Sequence, residues 1–375
     1  MLIKREAKTT LATKLFFIGC SCTLLFDLYH PVFGKIFDIF GFLFIFTALL
    51  FEKKLYINKI KLYKKNLIWG LPMLFVGFLS IFISPTSAIA IIFGLLILFI
   101  ISYYFEDQIY KNAVNFLTLS QKILLITQLI QLVVWIFTGF SIDYGQFLGF
   151  NTSRNFDGTF FRASGILAEA NGMTVTQSLL YIAILRYRKK NIDTILFLLS
   201  IFITFSLQGA LIGIITLFSF FFTNTSKEKL YLKILVIFFI MIIFISSAYD
   251  YINIAIQAFS YRLEKFDEDQ SLYYRLLKPI TISPEKLIFP HFYDILSAAE
   301  YGPGNAYFTG IYFFGIFLLF FLWEILFKFS KNGFLSIIIL LITLLSYQVY
   351  TTALFWIVIS FVEVKNRHEK RLFNF

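Results

Sequence analysis

Long apolar runs constrain the fold of this chain more than any other feature of its sequence. Residues 91–101 and 234–245 contain almost no polar side chains, and 59% of the 375 residues are hydrophobic. Charged residues make up 15% of the chain, whereas a soluble domain carries about a quarter. Backbone groups in lipid must pair within their own segment, so apolar runs of this kind predict membrane-spanning helices.

The pattern contains twelve separate apolar segments. The expected fold class is therefore all-α, as a polytopic integral membrane protein with about twelve transmembrane helices. We expect a single membrane domain over residues 1–375. The predicted segments are 13–30, 36–51, 67–84, 87–104, 122–139, 172–185, 192–207, 209–223, 231–248, 306–327, 333–348 and 350–363.

The positively charged residues indicate how these segments are oriented. With the N-terminus placed inside, 25 of the 33 Lys and Arg residues fall in the inner segments and 8 in the outer ones. Cytoplasmic loops carry an excess of Lys and Arg, so this division predicts that both termini are cytoplasmic. The net charge of +11 is thereby assigned to membrane orientation and not to the binding of nucleic acid.

Two long loops, about 140–171 and 249–305, are predicted to face outward. Loops longer than about 12–15 residues are usually functional or disordered, and these two contain Arg, Glu, Pro and aromatic residues. In the second loop, apolar residues from Ile252 to Phe266 recur at helical spacing, which predicts an amphipathic helix on the membrane surface. A second short helix is predicted from Ser271 to Ile280. Any chemistry is therefore expected on the outer face.

The sequence contains none of the motifs typical of soluble enzymes. It has no phosphate-binding glycine loop and no zinc-ligand spacing. Neither a metal nor a cofactor is therefore expected. Gln128, Gln131 and Gln177 are polar within membrane segments, where such residues either line a cavity or join helices.

Three short motifs follow one another along the predicted outer side. Residues 161–172 read Phe-Arg-Ala-Ser-Gly-Ile-Leu-Ala-Glu-Ala-Asn-Gly and lead from the first outer loop into the sixth segment. Ser271 precedes Arg275 by four positions, and the stretch 302–305, Gly-Pro-Gly-Asn, leads into the tenth segment. In these motifs and their order, the chain resembles the Wzy-type O-antigen and capsule polymerases, whose superfamily also contains the O-antigen ligases.

The chain departs from the pattern of that superfamily at two places. Members often carry a Ser-Arg-Gly motif in the middle of the chain, whereas residues 206–209 read Ser-Leu-Gln-Gly, with Gln208 in place of Arg. The ligases carry a His-Asn pair before a late helix, and here Gly304 precedes Asn305. The missing histidine weighs against a ligase.

The resemblance implies a glycosyltransferase that polymerises oligosaccharide repeat units carried on undecaprenyl pyrophosphate. The reaction would take place on the outer face of the bacterial cytoplasmic (inner) membrane and yield O-antigen, capsular polysaccharide or exopolysaccharide. The expected partners are undecaprenyl-pyrophosphate-linked glycans and membrane lipid, and a chain-length regulator protein stays open as a further partner.

Ten residues in the two outer loops are candidates for the site. Arginine suits a pyrophosphate because its guanidinium group stays charged and offers several hydrogen-bond donors. Glu169 or His291 suits the acceptor hydroxyl as a base. The catalytic candidates are Arg162, Glu169, Arg275 and His291, and the substrate-binding candidates are Arg154, Asn171, Arg262, Ser271, Tyr274 and Asn305.

Several of these candidates also have a purely structural interpretation. Arg162 near a membrane boundary can extend to the surface or cap a helix. Glu169 can form an ion pair with an arginine, and Asn305 can cap the tenth helix.

Two other functions stay open at this point. A ligase would transfer the glycan to a lipid A core or to a protein. A flippase or transporter of lipid-linked oligosaccharides is expected to carry charges inside its helices and to have short outer loops, which this sequence does not favour.

Overall fold

The computed structural model describes residues 10–32, 35–51, 71, 74–75, 78, 85–98, 102–152, 156–157, 160–222, 317–330, 333–346 and 352–373. Helices form nearly all of the regular structure in this part of the chain, which confirms the all-α class there. The exception is a two-residue antiparallel pairing of strands β1 (Phe156–Asp157) and β2 (Phe160–Phe161). It lies in the loop of about residues 140–171, which is called the first outer loop after its predicted orientation. The amphipathic helices predicted between 252 and 280 lie outside the described residues.

The described helices follow most of the predicted apolar segments. They are α1 (Leu11–Cys22), which continues into a 3₁₀ turn (Thr23–Leu25), α2 (Ile36–Phe51), α3 (Pro85–Leu96), the single turn α4 (Ser102–Tyr104), α5 (Glu106–Thr138), the short α6 (Tyr144–Phe147), α7 (Ala170–Tyr187), α8 (Asn191–Ile203), α9 (Leu207–Phe222), α10 (Phe317–Ser330), α11 (Phe334–Ser346) and α12 (Ala353–Phe373). The segments predicted at 67–84 and 231–248 fall mostly or wholly outside the described residues.

Helix α5 begins well before its predicted segment. The charge count treats residues 105–122 as an inner segment, but they form the first half of this helix. Ile109, Ala113 and Leu117 recur at every fourth position and are buried, a spacing that places them on one packed face. With 33 residues, α5 is about 50 Å long, which is more than a hydrocarbon core of about 30 Å requires.

Among the described helices, only α5 is both long and apolar enough to cross a membrane by itself. Others, including α2 and α11, are apolar but shorter, at 10–17 residues each. The described helices therefore do not establish the predicted number of twelve crossings.

Helix α7 lies at the centre of the described bundle. Every residue from Gly172 to Ile184 is buried, and the helix packs against α5, α8, α11 and α12. Residues carried by an enclosed helix are held more accurately than residues on a free loop. The N-terminus of α7 is therefore a rigid platform for side chains of the first outer loop.

The C-terminal end of α7 is fixed to α12. Arg186 donates to Asn366 Oδ1 at 2.8 Å and forms an ion pair with Glu369. Burial pushes the pKa of Glu369 upward, but the hydrogen bonds and charge of Arg186, with those of Lys365, outweigh it and hold that pKa below its usual value. The carboxylate is thus ionised at neutral pH, and its contribution to stability is lost only as the pH falls through the lowered pKa.

Two arginines in the last turns of α12 also bind the chain at the start of α5. Arg367 Nη2 donates to the Ser102 carbonyl at 3.0 Å, and Arg371 Nη2 lies 3.2 Å from Glu106 Oε2. Ser102, Glu106 and Arg367 are buried. The residues after 363, which the charge count assigns to a cytoplasmic tail, therefore continue α12 to Phe373 and join three helix ends.

Two glycines bring α1 and α2 into close contact. A Cβ atom at Gly19 would lie 2.7 Å from the Gly41 carbonyl oxygen and 2.7 Å from Ile45 Cγ1. A Cβ atom at Gly41 would lie 2.7 Å from Thr23 Cγ2. Small residues at a helix crossing let the two backbones approach, as is typical of membrane helix pairs.

We predict that Gly19→Leu destabilises the protein by about 1–3 kcal/mol, because the new side chain must push α1 away from the α2 backbone. Ser21→Leu is the matched control, since Ser21 is exposed on the same helix. Thermal unfolding of the purified protein in detergent measures both variants. Equal melting temperatures for the two variants would contradict the close crossing.

Candidate functional site

The segment 162–169 of the first outer loop is folded into the end of the bundle. Ala163, Ser164 and Gly165 are buried, and the Leu167 N–H donates to the Ser164 carbonyl at 3.2 Å. Backbone groups buried in this way need hydrogen-bond partners. Side chains of α5 supply several of them.

Two glutamine side chains of α5 form hydrogen bonds with the backbone of this segment. Gln131 Oε1 accepts the Gly165 N–H at 2.9 Å, and Gln131 Nε2 donates to the Ile142 carbonyl at 2.7 Å. Gln128 Nε2 donates to the Ala163 carbonyl at 3.3 Å. Gln128 Nε2 also donates to the Ser200 carbonyl of α8 at 3.3 Å, so Gln128 joins two helices, while Gln131 joins α5 to the loop.

Gly165 combines a backbone conformation and a close contact that disfavour any other residue. Its φ angle is +58°, in the left-handed region that favours glycine. A Cβ atom there would lie 2.6 Å from Thr127 Oγ1. That oxygen also accepts the Ile166 N–H at 3.3 Å, so the turn and α5 are in direct contact.

Arg162 and Asn171, two of the candidates, are joined by a hydrogen bond. Arg162 Nη2 donates to Asn171 Oδ1 at 3.2 Å, and both residues are half-buried. The preceding residue, Phe161, stacks on Trp135 of α5 with ring centroids 4.7 Å apart and planes 9° apart. The stacked ring fixes the backbone from which Arg162 extends.

Glu169, a third candidate, precedes the first residue of α7. Its carbonyl accepts the Met173 N–H at 3.1 Å, and its own N–H donates to Asp27 Oδ2 at 2.9 Å. Glu169 is half-buried. In the sequence it stands two positions before Asn171. Asp27 was not a predicted site residue, because 142 positions separate it from Glu169.

The mid-chain motif at 206–209 also lies close to the N-terminal part of α7. Ser206 Oγ is 2.9 Å from Thr174 Oγ1 and accepts the Gly209 N–H at 2.9 Å. Gln208, which stands in place of the arginine common in the polymerases, donates to the Ile342 carbonyl of α11 at 3.0 Å. The structure therefore places residues 206–209 against α7 just beyond the 161–172 motif, and Gln208 links α9 to α11.

Three of the ten candidate residues, Arg162, Glu169 and Asn171, are thus gathered at the N-terminus of α7. The other seven lie outside the described residues, and their roles stay predictions. They are Arg154, Arg262, Ser271, Tyr274, Arg275, His291 and Asn305.

No protein-family model, curated protein or solved structure matches this chain. The relation to the Wzy-type polymerases is therefore a resemblance in short motifs. The function of the chain is inferred from its site and from its surface.

The second half of α5, which supports the site, buries glutamine side chains and exposes a row of apolar side chains. Gln121, Gln128 and Gln131 are fully buried. The exposed apolar residues of the same helix are Leu119, Ile123, Ile126, Leu129, Ile130, Val133, Ile136 and Phe137. A helix on the surface of a soluble protein has the opposite arrangement.

We predict that Gly165→Ala destabilises the protein more than Gly149→Ala does. Both glycines have positive φ angles, but a Cβ atom at Gly149 meets nothing within 4 Å. The backbone strain is therefore shared, and the difference of about 1–3 kcal/mol comes from the contact with Thr127. Thermal unfolding in detergent measures it, and an equal loss in the two variants would show that the 165 turn is not packed against α5.

Proposed function

We propose that this chain is a polysaccharide polymerase of the bacterial cytoplasmic membrane, with about twelve membrane-spanning helices. It transfers a growing glycan from undecaprenyl pyrophosphate to a lipid-linked repeat unit on the outer face of the membrane. The observation that carries this proposal is the hydrogen bond of Arg162 to Asn171 at the N-terminus of α7, where Glu169 is the capping residue, within the motif that resembles the polymerases.

The surface of α5 supports the location in a membrane. Its outward face presents Ile126, Ile130 and Phe137, while its glutamines point inward. Exposing apolar side chains to lipid has no cost in free energy, and polar side chains in membrane proteins form hydrogen bonds between helices. The arrangement of polar and apolar residues on α5 therefore suits lipid as the surrounding solvent.

The grouping of helix ends supports the alternation of the segments between the two sides. The Asn151 N–H donates to the Tyr29 carbonyl at 2.8 Å, and Glu169 contacts Asp27, so these contacts join segments assigned to the outside. Arg186 and Arg367 join segments assigned to the inside. The alternation obtained from the Lys and Arg count is thus compatible with the contacts at both ends.

The proposed reaction is a glycosyl transfer without a metal. An acceptor hydroxyl oxygen forms a bond to the anomeric carbon of the donor glycan, and the bond from that carbon to the pyrophosphate oxygen breaks. The electron pair of that bond leaves with undecaprenyl pyrophosphate, and the hydroxyl proton passes to a base. Glu169 is the candidate base among the described residues.

Arg162 is assigned to the leaving group. Negative charge grows on the pyrophosphate as its bond to the sugar breaks, and a fixed cation stabilises that charge most in the transition state. A guanidinium group suits the task because it stays charged and offers several donors. The hydrogen bond to Asn171 orients Arg162, and the stack of Phe161 on Trp135 anchors its backbone.

We predict that Arg162→Ala lowers polymer formation about 100-fold or more, and that Arg162→Lys restores only part of it, since Lys lacks the planar set of donors. Cells that lack the gene receive wild-type or variant protein at matched levels, and electrophoresis resolves the length of their surface glycan. Lys189→Ala is the matched control, because it removes an exposed cation beyond the opposite end of α7.

The deletion strain also separates the three candidate functions. A polymerase leaves single repeat units on the carrier or the core lipid, and the Arg162→Ala variant does the same. Polymer that still forms but stays on its carrier identifies a ligase. Repeat units that accumulate on the inner leaflet identify a flippase.

Orientation is tested by single cysteines in a protein whose Cys20 and Cys22 are replaced by serine. We predict that Gln146→Cys reacts with a membrane-impermeant maleimide in intact spheroplasts, because position 146 is exposed in the first outer loop. Lys189→Cys should react only after the membrane is opened. The reverse result would overturn the orientation and the outer location of the site.

A further inference from the structure

Asp27 is a carboxylate that lies at the candidate site but belongs to a distant part of the chain. It follows the 3₁₀ turn Thr23–Leu25 at the end of α1. Its Oδ2 atom accepts the backbone N–H of Glu169 at 2.9 Å. The contact therefore ties the backbone of the candidate base to the pair of helices α1 and α2.

The start of α7 lacks the side chain that usually makes this contact. In a capping box, the side chain of the third helical residue accepts the N–H of the capping residue. Here the capping residue is Glu169, the third helical residue is Gly172, and Glu169 makes no side-chain cap of its own. Asp27 takes the place of the missing side chain from the turn that follows α1.

Gly172 leaves the space that Asp27 fills. A Cβ atom at Gly172 would lie 2.5 Å from Asp27 Oδ2 and 2.9 Å from Asp27 Cγ. Any other residue at 172 would therefore displace the carboxylate. The negative charge is also favourably placed, since the N-terminus of a helix carries partial positive charge.

We propose that Asp27 is a positioning residue for Glu169: its carboxylate fixes the Glu169 backbone and so directs the Glu169 side chain toward the acceptor hydroxyl. This inference rests on the proposed polymerase function. It also assigns the pyrophosphate to side-chain cations such as Arg162, because a carboxylate already occupies the N-terminus of α7.

The test uses the purified full chain and, as substrate, lipid-linked repeat units extracted from the deletion strain. We expect Asp27→Ala to lower kcat about 10- to 100-fold, the effect of a slightly misplaced catalytic group, with less than about a twofold change in KM. Asp27→Asn keeps a hydrogen-bond acceptor of the same shape and should retain most of the activity. Gly172→Ala should lower kcat although Asp27 itself is unchanged.

Asp143→Ala is the matched control. Asp143 is also an outer-loop carboxylate that caps a helix, and its Oδ1 accepts the Gln146 N–H at 2.9 Å. We expect its kcat to stay near the wild-type value while its melting temperature falls as far as that of Asp27→Ala. A purely structural role for Asp27 predicts equal activity in these two variants.

The double variant Asp27→Ala with Gly172→Ala adds an internal check. Both changes break the same contact, so its kcat should be no lower than that of the worse single variant. A wild-type kcat in Asp27→Ala, or in Gly172→Ala where Asp27→Ala fails to fold, overturns the assignment of Asp27 and leaves the polymerase intact. Wild-type protein that does not extend the repeat units overturns the polymerase itself and the assignment with it.

Discussion

An unpaired polar group inside an apolar bundle costs about 1–3 kcal/mol, and this constraint fixes the first outer loop in place. The loop backbone between Ala163 and Ile166 is buried, and Gln128, Gln131 and Thr127 of α5 pair with it. These bonds are made inside the protein, where water does not compete for them. The approach to α7, and with it Arg162, therefore has a defined course.

Helix α7 connects this end of the bundle to the opposite end. Its N-terminus carries Glu169 and Asn171, and its C-terminal end carries Arg186, which is bound to α12. Because α7 is enclosed along its length, movement of one end requires the surrounding helices to repack. The contacts of the C-terminal helix thus belong to the same rigid unit as the candidate site.

Three candidate residues lie together for a reason that is visible in the sequence, whereas the contacts around them are not visible there. Arg162, Glu169 and Asn171 share one short motif, so their proximity follows from local spacing. The contacts of Asp27 and Gln208 were not predicted, because they join parts of the chain that are far apart in sequence. Helix α5 was predicted too short for a related reason: the charged residues before 122 suggested a loop, but Glu106 among them pairs with Arg371 of α12.

The sequence by itself determined the apolar helical segments, the likeness of residues 161–172 to a polymerase motif and the uneven distribution of positive charge, because each is a property of neighbouring residues. The tertiary structure decided how the segments join. Only packing in three dimensions brings Asp27 to the Glu169 backbone. It also places the glutamines of α5 in contact with the loop backbone and leaves apolar side chains of that helix exposed. Such contacts depend on the space that Gly165 and Gly172 leave open, which no local pattern encodes.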